Sequence, residues 1–204
     1  MRVKPFSRPT LAILIIVVIF LGGCRRSQTP RYYSLSPMQE QVTSKRSSPV
    51  QSAILGIGPV KLADYLDQPR LVNRTGDNQL IVAEYDRWLG SFKDNFVNVL
   101  ADNIGFLLPT ERIHFYPWRK SMPIDYQIIL DIVRCDGRLG DAVWLEARWS
   151  ILEGTEKKLL KMNRSSIREP VGGVDYSALV AAQSRAIAKL SQEIVEAIRA
   201  GGNR

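Results

Sequence analysis

His114 is the only histidine in the 204-residue chain, and it lies in Ile113-His114-Phe115-Tyr116, a short aromatic run with strand character. General acid–base chemistry needs a partner group held within hydrogen-bond reach, so a lone histidine in such a run reads as structural. A serine nucleophile needs a base and an orienting acid, and no nucleophile-elbow sequence occurs. Asp125 and Asp131 are the candidates for paired carboxylates, but six strand positions set them roughly 20 Å apart. Gly56 and Gly58 follow a strand, yet no G-x-G-x-x-G completes a phosphate loop. Those glycines predict close backbone approach or a bulge instead. Metal ligands at suitable spacing are missing from the sequence. The residue types weigh against an enzyme and call for no cofactor and no metal.

Two cysteines remain, and their settings differ. Cys135 falls in an apolar strand pattern and reads as a buried, inert thiol acting as a small hydrophobe. Cys24 follows Leu11–Leu21, eleven unbroken apolar residues, then Gly22-Gly23; Arg2, Lys4 and Arg8 precede the run. Eleven residues are too few to span a hydrocarbon core of about 30 Å. A positive start, a short apolar core and small residues make an export signal. Leu21-Gly22-Gly23-Cys24 resembles the lipobox of bacterial lipoproteins, which implies cleavage between Gly23 and Cys24 and lipid on the Cys24 sulfur. The alternatives are an ordinary secretory signal with an incidental cysteine, or a short uncleaved anchor. In the lipoprotein class, Asp after the lipidated cysteine tends to retain a protein at the inner membrane. Arg25 stands there, so the periplasmic face of the outer membrane is expected, lipid-anchored. The organisation expected is a signal over 1–23, lipidated cysteine and tether over 24–30, one domain over 31–200 and a tail over 201–204.

Charge is read after cleavage. The full chain has 28 basic and 20 acidic residues, and the signal removes three basic and no acidic ones, so the net charge falls from +8 to +5. A basic cytoplasmic protein would invite nucleic acid; export removes that partner. Anionic lipid head groups or an acidic protein neighbour fit better, with simple solubility as the plain alternative. About 180 mature residues suffice for one domain with a real core.

The elements come from periodicity. Arg31–Leu35 reads as a first strand, Ser36–Gln51 as a loop, and Ser52–Val60 as a strand, with Pro59–Gln68 irregular. Arg70–Arg74 and Gln79–Tyr85 flank Thr75-Gly76-Asp77-Asn78 and form a hairpin. From Trp88 to Leu107 the period becomes helical, with Leu89 among the residues that widen the apolar stripe. Ile113–Tyr116 is a short strand. Ile124–Arg134 and Ala142–Leu152 alternate and pair through Asp136–Asp141, and Lys157–Ile167 follows. Asp175 caps a last helix, with Tyr176, Leu179, Ala186, Leu190, Ile194 and Ile198 along one face. The fold class expected is α+β: a two-layer sandwich with a mixed or antiparallel sheet of six to seven strands and two long amphipathic helices on one face. Asp125, Asp131, Glu146 and Arg148 would mark its open face.

With catalysis set aside, surface remains. Phe115-Tyr116-Pro117-Trp118-Arg119-Lys120 sets aromatics beside cations, chemistry for a protein contact or a lipid interface. The plain alternative is that Phe115 and Tyr116 complete the core while Trp118 lies over its edge. On the first strand one of Tyr32 and Tyr33 should point inward and one outward. Tyr32, Tyr33, Tyr116, Trp118 and Arg119 are the candidate partner or membrane contacts.

Tyr32-Tyr33-Ser34-Leu35, Gly58-Pro59-Val60 with Leu62, Tyr65-Leu66-Asp67 with Pro69, Arg87-Trp88, and Asp175-Tyr176-Ser177-Ala178-Leu179-Val180 leading to Ala186 and Leu190 follow one order. In that order and spacing the chain resembles the ABC-type transport auxiliary lipoproteins from about residue 31 to 200. The resemblance implies a non-enzymatic role beside MCE-domain proteins and their ABC transporters. These systems move lipids or other hydrophobic molecules between membranes. It implies an outer-membrane docking component, with a homo-oligomeric ring as a further option, and carries over only Cys24 as a site. A lipid-binding carrier with an acyl chain in an apolar pocket is the alternative. A cell-wall hydrolase lacks its catalytic set.

Overall fold

A computed structural model describes residues 28–38, 53–119, 121–154 and 156–201. The export signal, Gly23, Cys24 and Lys120 lie outside the described residues, as does most of the expected loop over 36–51. The chain divides into two units, 1–30 and 31–204, and the fold is that of the second.

Alternating side chains build the centre. In β6 (Tyr126–Gly137), Ile128, Leu130 and Ile132 are buried; in β7 (Ala142–Glu153), Val143, Leu145, Ala147, Trp149 and Ile151 are buried. The two strands pair antiparallel along their whole length, and β8 (Lys158–Pro170) continues the meander. On its other edge β6 pairs parallel with β2 (Leu55–Leu62), which pairs parallel with β5 (Ile113–Phe115). At its far end β6 meets β3 (Arg70–Gly76) through Asn73 and Gly137. β3 forms the expected hairpin with β4 (Gln79–Trp88), and β1 (Arg31–Tyr33) adds in parallel to β4. The sheet has eight strands where six to seven were expected; they correspond to the eight strand segments read from periodicity, the two three-residue ones lying at its edges.

Both helices lie on one face. α1 (Phe92–Leu107) starts where the Ser91 hydroxyl accepts the Asp94 N–H at 3.2 Å, and the Asp94 carboxylate suits the positive end of the dipole. Phe92, Phe96, Val99, Leu100 and Ile104 form its buried face. α2 (Tyr176–Gly201) has the expected cap, with Asp175 Oδ1 accepting the Ala178 N–H at 2.8 Å. Its Leu179, Ile187, Leu190, Ile194 and Ile198 are fully buried, and each such side chain contributes about 1.5–3 kcal/mol. α2 packs over β6, β7 and β8, and α1 packs over β2 and against α2. Polar ties fix helix to sheet: Trp149 Nε1 donates to Ser165 Oγ at 2.8 Å, and that hydroxyl donates to Glu193 on α2.

Three expectations are corrected. The first helix does not begin at Trp88, because β4 runs through that residue and the serine cap sits at 91. Trp88 is still core, its ring 4.8 Å from that of Phe92, but Leu89 is 65% exposed and widens no stripe. Pro59–Gln68 is less irregular than expected: β2 runs to Leu62 and a single 3₁₀ turn spans Asp64–Leu66. Asp136 and Gly137 are not turn residues but the end of β6, and the turn begins at Arg138.

Cys135 is fully buried, and burial pushes its thiol well above the ordinary range, with the Asp136 charge adding to the effect. A thiol reagent is expected to react with it only after denaturation; a mass shift in the folded protein would contradict this placement.

Candidate interaction surfaces

The first surface is the corner where β2 meets β5. Gly56 stands opposite His114, and Ile57 opposite Phe115. A Cβ on Gly56 would lie 2.8 Å from the Trp118 ring, so the expected close approach is an indole against backbone. Gly58 has φ +118°, and a Cβ there would lie 2.7 Å from Tyr116 Cβ. Gln127 donates to the Gly58 carbonyl at 2.8 Å, and Tyr116 N–H donates to the Ile57 carbonyl at 2.9 Å. Tyr116 and Trp118 meet edge to face at 5.5 Å. The idea that Phe115 and Tyr116 complete the core is wrong: they are 46% and 56% exposed, while Trp118 is half-buried. The short strand sits at a sheet edge. Arg119 is exposed beside them.

This corner depends on glycine. Gly58→Ala is expected to cost about 2 kcal/mol, since that φ is open almost only to glycine, and to displace Tyr116. Urea unfolding would measure the loss; unchanged stability would remove the reason given for that residue.

The second surface begins at the first strand. Tyr32 is exposed, whereas the Tyr33 hydroxyl donates to Asp86 Oδ1 at 2.7 Å, so one ring points out and one in. Burial and the Asp86 hydrogen bond push the Tyr33 hydroxyl up to about 12. Arg31 donates to Asp86 Oδ2 at 2.9 Å. The chain then runs between the helices. Ser34 donates to Asn95 at 2.7 Å, Ser36 N–H to Ser184 at 3.1 Å, and Met38 N–H to Asn103 at 2.7 Å. An open groove of about 1050 Å³ lies alongside, walled by Tyr32, Pro37, Met38 and Phe106 and floored by Ala181 and Ala188 of α2.

The third surface was not anticipated from sequence. Asp136 is fully buried on the sheet face away from the helices. Its oxygens accept from Tyr65 at 2.6 Å, from Arg74 Nε and Nη2 at 2.8 and 3.0 Å, and from Arg134 Nε at 3.1 Å. Burial alone would raise this carboxyl, but the hydrogen bonds from Arg74 and Tyr65 and the Arg134 charge hold it below the usual range. Tyr65 is pushed up, by burial first and by its bond to Asp136 second. The Arg134 guanidinium stacks 4.7 Å from the Trp144 ring centre, and Arg168 lies 5.8 Å from it. The cross-strand pairs Arg148–Asp131 and Arg164–Glu146, and Arg168 with Asp141 of the turn, lie on the same open face. The expected open-face residues Asp131, Glu146 and Arg148 are there; Asp125 instead accepts the Ile54 N–H at 2.7 Å.

Among the described residues no group of three His, Cys, Asp or Glu could hold a metal, and no helix is long and apolar enough to cross a membrane. What the fold presents is a mixed α+β domain whose distinctive surfaces are suited to contact. Residues 33–195 match the family model described as the ABC-type transport auxiliary lipoprotein component, and the chain belongs to that family. Two solved structures are similar in fold. One, an uncharacterized protein, is 20% identical over 84% of this chain and 99% of its own, with a TM-score of 0.68. The other, a protein from Xanthomonas campestris, is 19% identical over 85% of this chain and 97% of its own, also with a TM-score of 0.68. No curated protein matches the chain in sequence.

Proposed function

We propose that this protein is an outer-membrane-anchored periplasmic lipoprotein that docks and assembles an MCE/ABC-type system moving lipids or other hydrophobic molecules between the two membranes. The family match over residues 33–195 carries the reading. Cys24 behind its apolar run supplies the anchor, and Arg25 favours the outer membrane. The partner is an MCE-domain protein of an inner-membrane transporter, met by the exposed aromatics Tyr32 and Tyr116, with Arg119 beside the latter; Tyr33 and Trp118 hold those two in place. Function of this kind needs contact and no catalytic set.

The carrier alternative has one observation in its favour, the groove beside Tyr32. Its lining mixes Ser34, Ser36, Ser177 and Ser184 with Tyr32, Met38, Phe106 and Val180, and it is an open groove, whereas a site for an acyl chain encloses most of its ligand. Photo-crosslinkers placed at Tyr32 and Tyr116 in cells test the docking reading. An adduct with an MCE-domain protein is expected from at least one position. Lipid adducts alone at both would favour the carrier.

A further inference from the structure

Between the β3–β4 hairpin and the β6–β7 turn lies a cleft of about 380 Å³, lined by Arg74, Asp77, Arg134, Arg138, Asp141 and Trp144. Arg168 approaches Trp144 as well, so four guanidiniums meet the carboxylates of Asp77, Asp136 and Asp141. Three of the four are engaged: Arg74 and Arg134 with Asp136, and Arg168 with Asp141. Arg138 is the exception. Its Nε is buried and has no hydrogen-bond partner among the described residues. A buried donor without an acceptor is costly, and here it stands in a cleft with one excess positive charge. Guanidiniums held by stacking and ion pairs suit a phosphate, which they bind in bidentate fashion.

The surroundings say which phosphate. Arg74 stands opposite Leu80, and Val72 opposite Val82, so the exposed Val82 shares the face of the sheet on which Arg74 enters the cleft. Val174, 80% exposed, lies beside the β6–β7 turn at Gly140. Apolar residues around a basic cleft, with an indole within it, match the boundary between head groups and acyl chains. Six residues separate Cys24 from Arg31, a reach of about 20 Å. Arg70 of β3 and Tyr32 of β1 both stand opposite Arg87 of β4, and Arg74 lies four positions further along β3, so it is about 16 Å from Tyr32 across two strands. We infer that this cleft takes the phosphate of an anionic lipid head group, holding the domain's open face against the membrane that anchors it. The inference rests on the lipid-anchored reading above.

The test uses the lipidated mature protein reconstituted into phosphatidylcholine vesicles with or without phosphatidylglycerol. Hydroxyl-radical footprinting read by mass spectrometry separates Trp144 from the other tryptophans. Flotation with both vesicle types reports the anchor independently. Trp144 labelling is expected to fall about fivefold on the anionic vesicles, and Arg138→Gln, which leaves the Asp136 clamp intact, should abolish the protection. Equal labelling on both vesicle types, with the protein floating, would overturn the inference and leave the anchor standing. Protection by inorganic phosphate or an acidic peptide on neutral vesicles, without protection by anionic lipid, would also overturn it. So would full protection in R138Q.

Discussion

Asp136→Ala is expected to destabilise the domain by about 3 kcal/mol, the lower end for breaking a buried ion pair by removing one partner. The lower end applies because the side chains of Arg74 and Arg134 keep 16% and 25% exposure, so water can partly solvate them once the carboxylate is gone. Tyr65 also loses its acceptor. The same group gives a pH dependence of known sign. Its folded-state pKa is depressed, so its contribution is fully present above the unfolded carboxyl value of about 3.9. It is lost as pH falls below that value toward the folded one. Urea unfolding at neutral pH and through the acid range would show both effects in the wild type, and the acid-dependent part should be reduced in the variant. A variant as stable as the parent would mean that the cluster is not the constraint described.

Cys24→Ser is expected to abolish stable residence in the outer membrane. Lipid chains contribute about 0.8 kcal/mol per buried CH₂, and stable anchoring takes two or more attachments; removing the sulfur removes every acyl chain at once. Density-gradient fractionation followed by immunoblotting should find the wild type with outer-membrane markers and the variant elsewhere. A variant that still co-migrates with the outer membrane would show that another part of the protein holds it there. The R138Q footprint then becomes informative, because it isolates the weaker contact proposed for the domain itself.

Legibility followed the range of the signal. The two amphipathic helices, the β3–β4 hairpin and the β6–β7–β8 meander could be read because their periods come from neighbouring residues. The start of α1 could not: Trp88 and Leu89 continue the apolar pattern, and only the Ser91 cap, with its bond from Asp94, separates strand from helix. The Asp136 site was missed for a physical reason. In β6 the inward phase of Ile128, Leu130 and Ile132, carried forward, would bury Arg134 and Asp136 among the helices. A register shift after Ile132 turns them to the other face and sends Cys135 inward. Two charged residues falling in phase with an apolar run were the available sign of that bulge. The rest of the site could not be read locally, because Tyr65, Arg74, Arg134 and Trp144 come from separate segments of the chain. At the β2–β5 corner, Gly56 and Gly58 correctly indicated close approach, but not that Trp118 and Tyr116 were what approached.

The most direct test of the whole account is the intact mass of the protein extracted from membranes. A chain beginning at Cys24 and carrying acyl groups on that residue is the predicted result. An unprocessed precursor, or a mature chain with an unmodified sulfur, would contradict it.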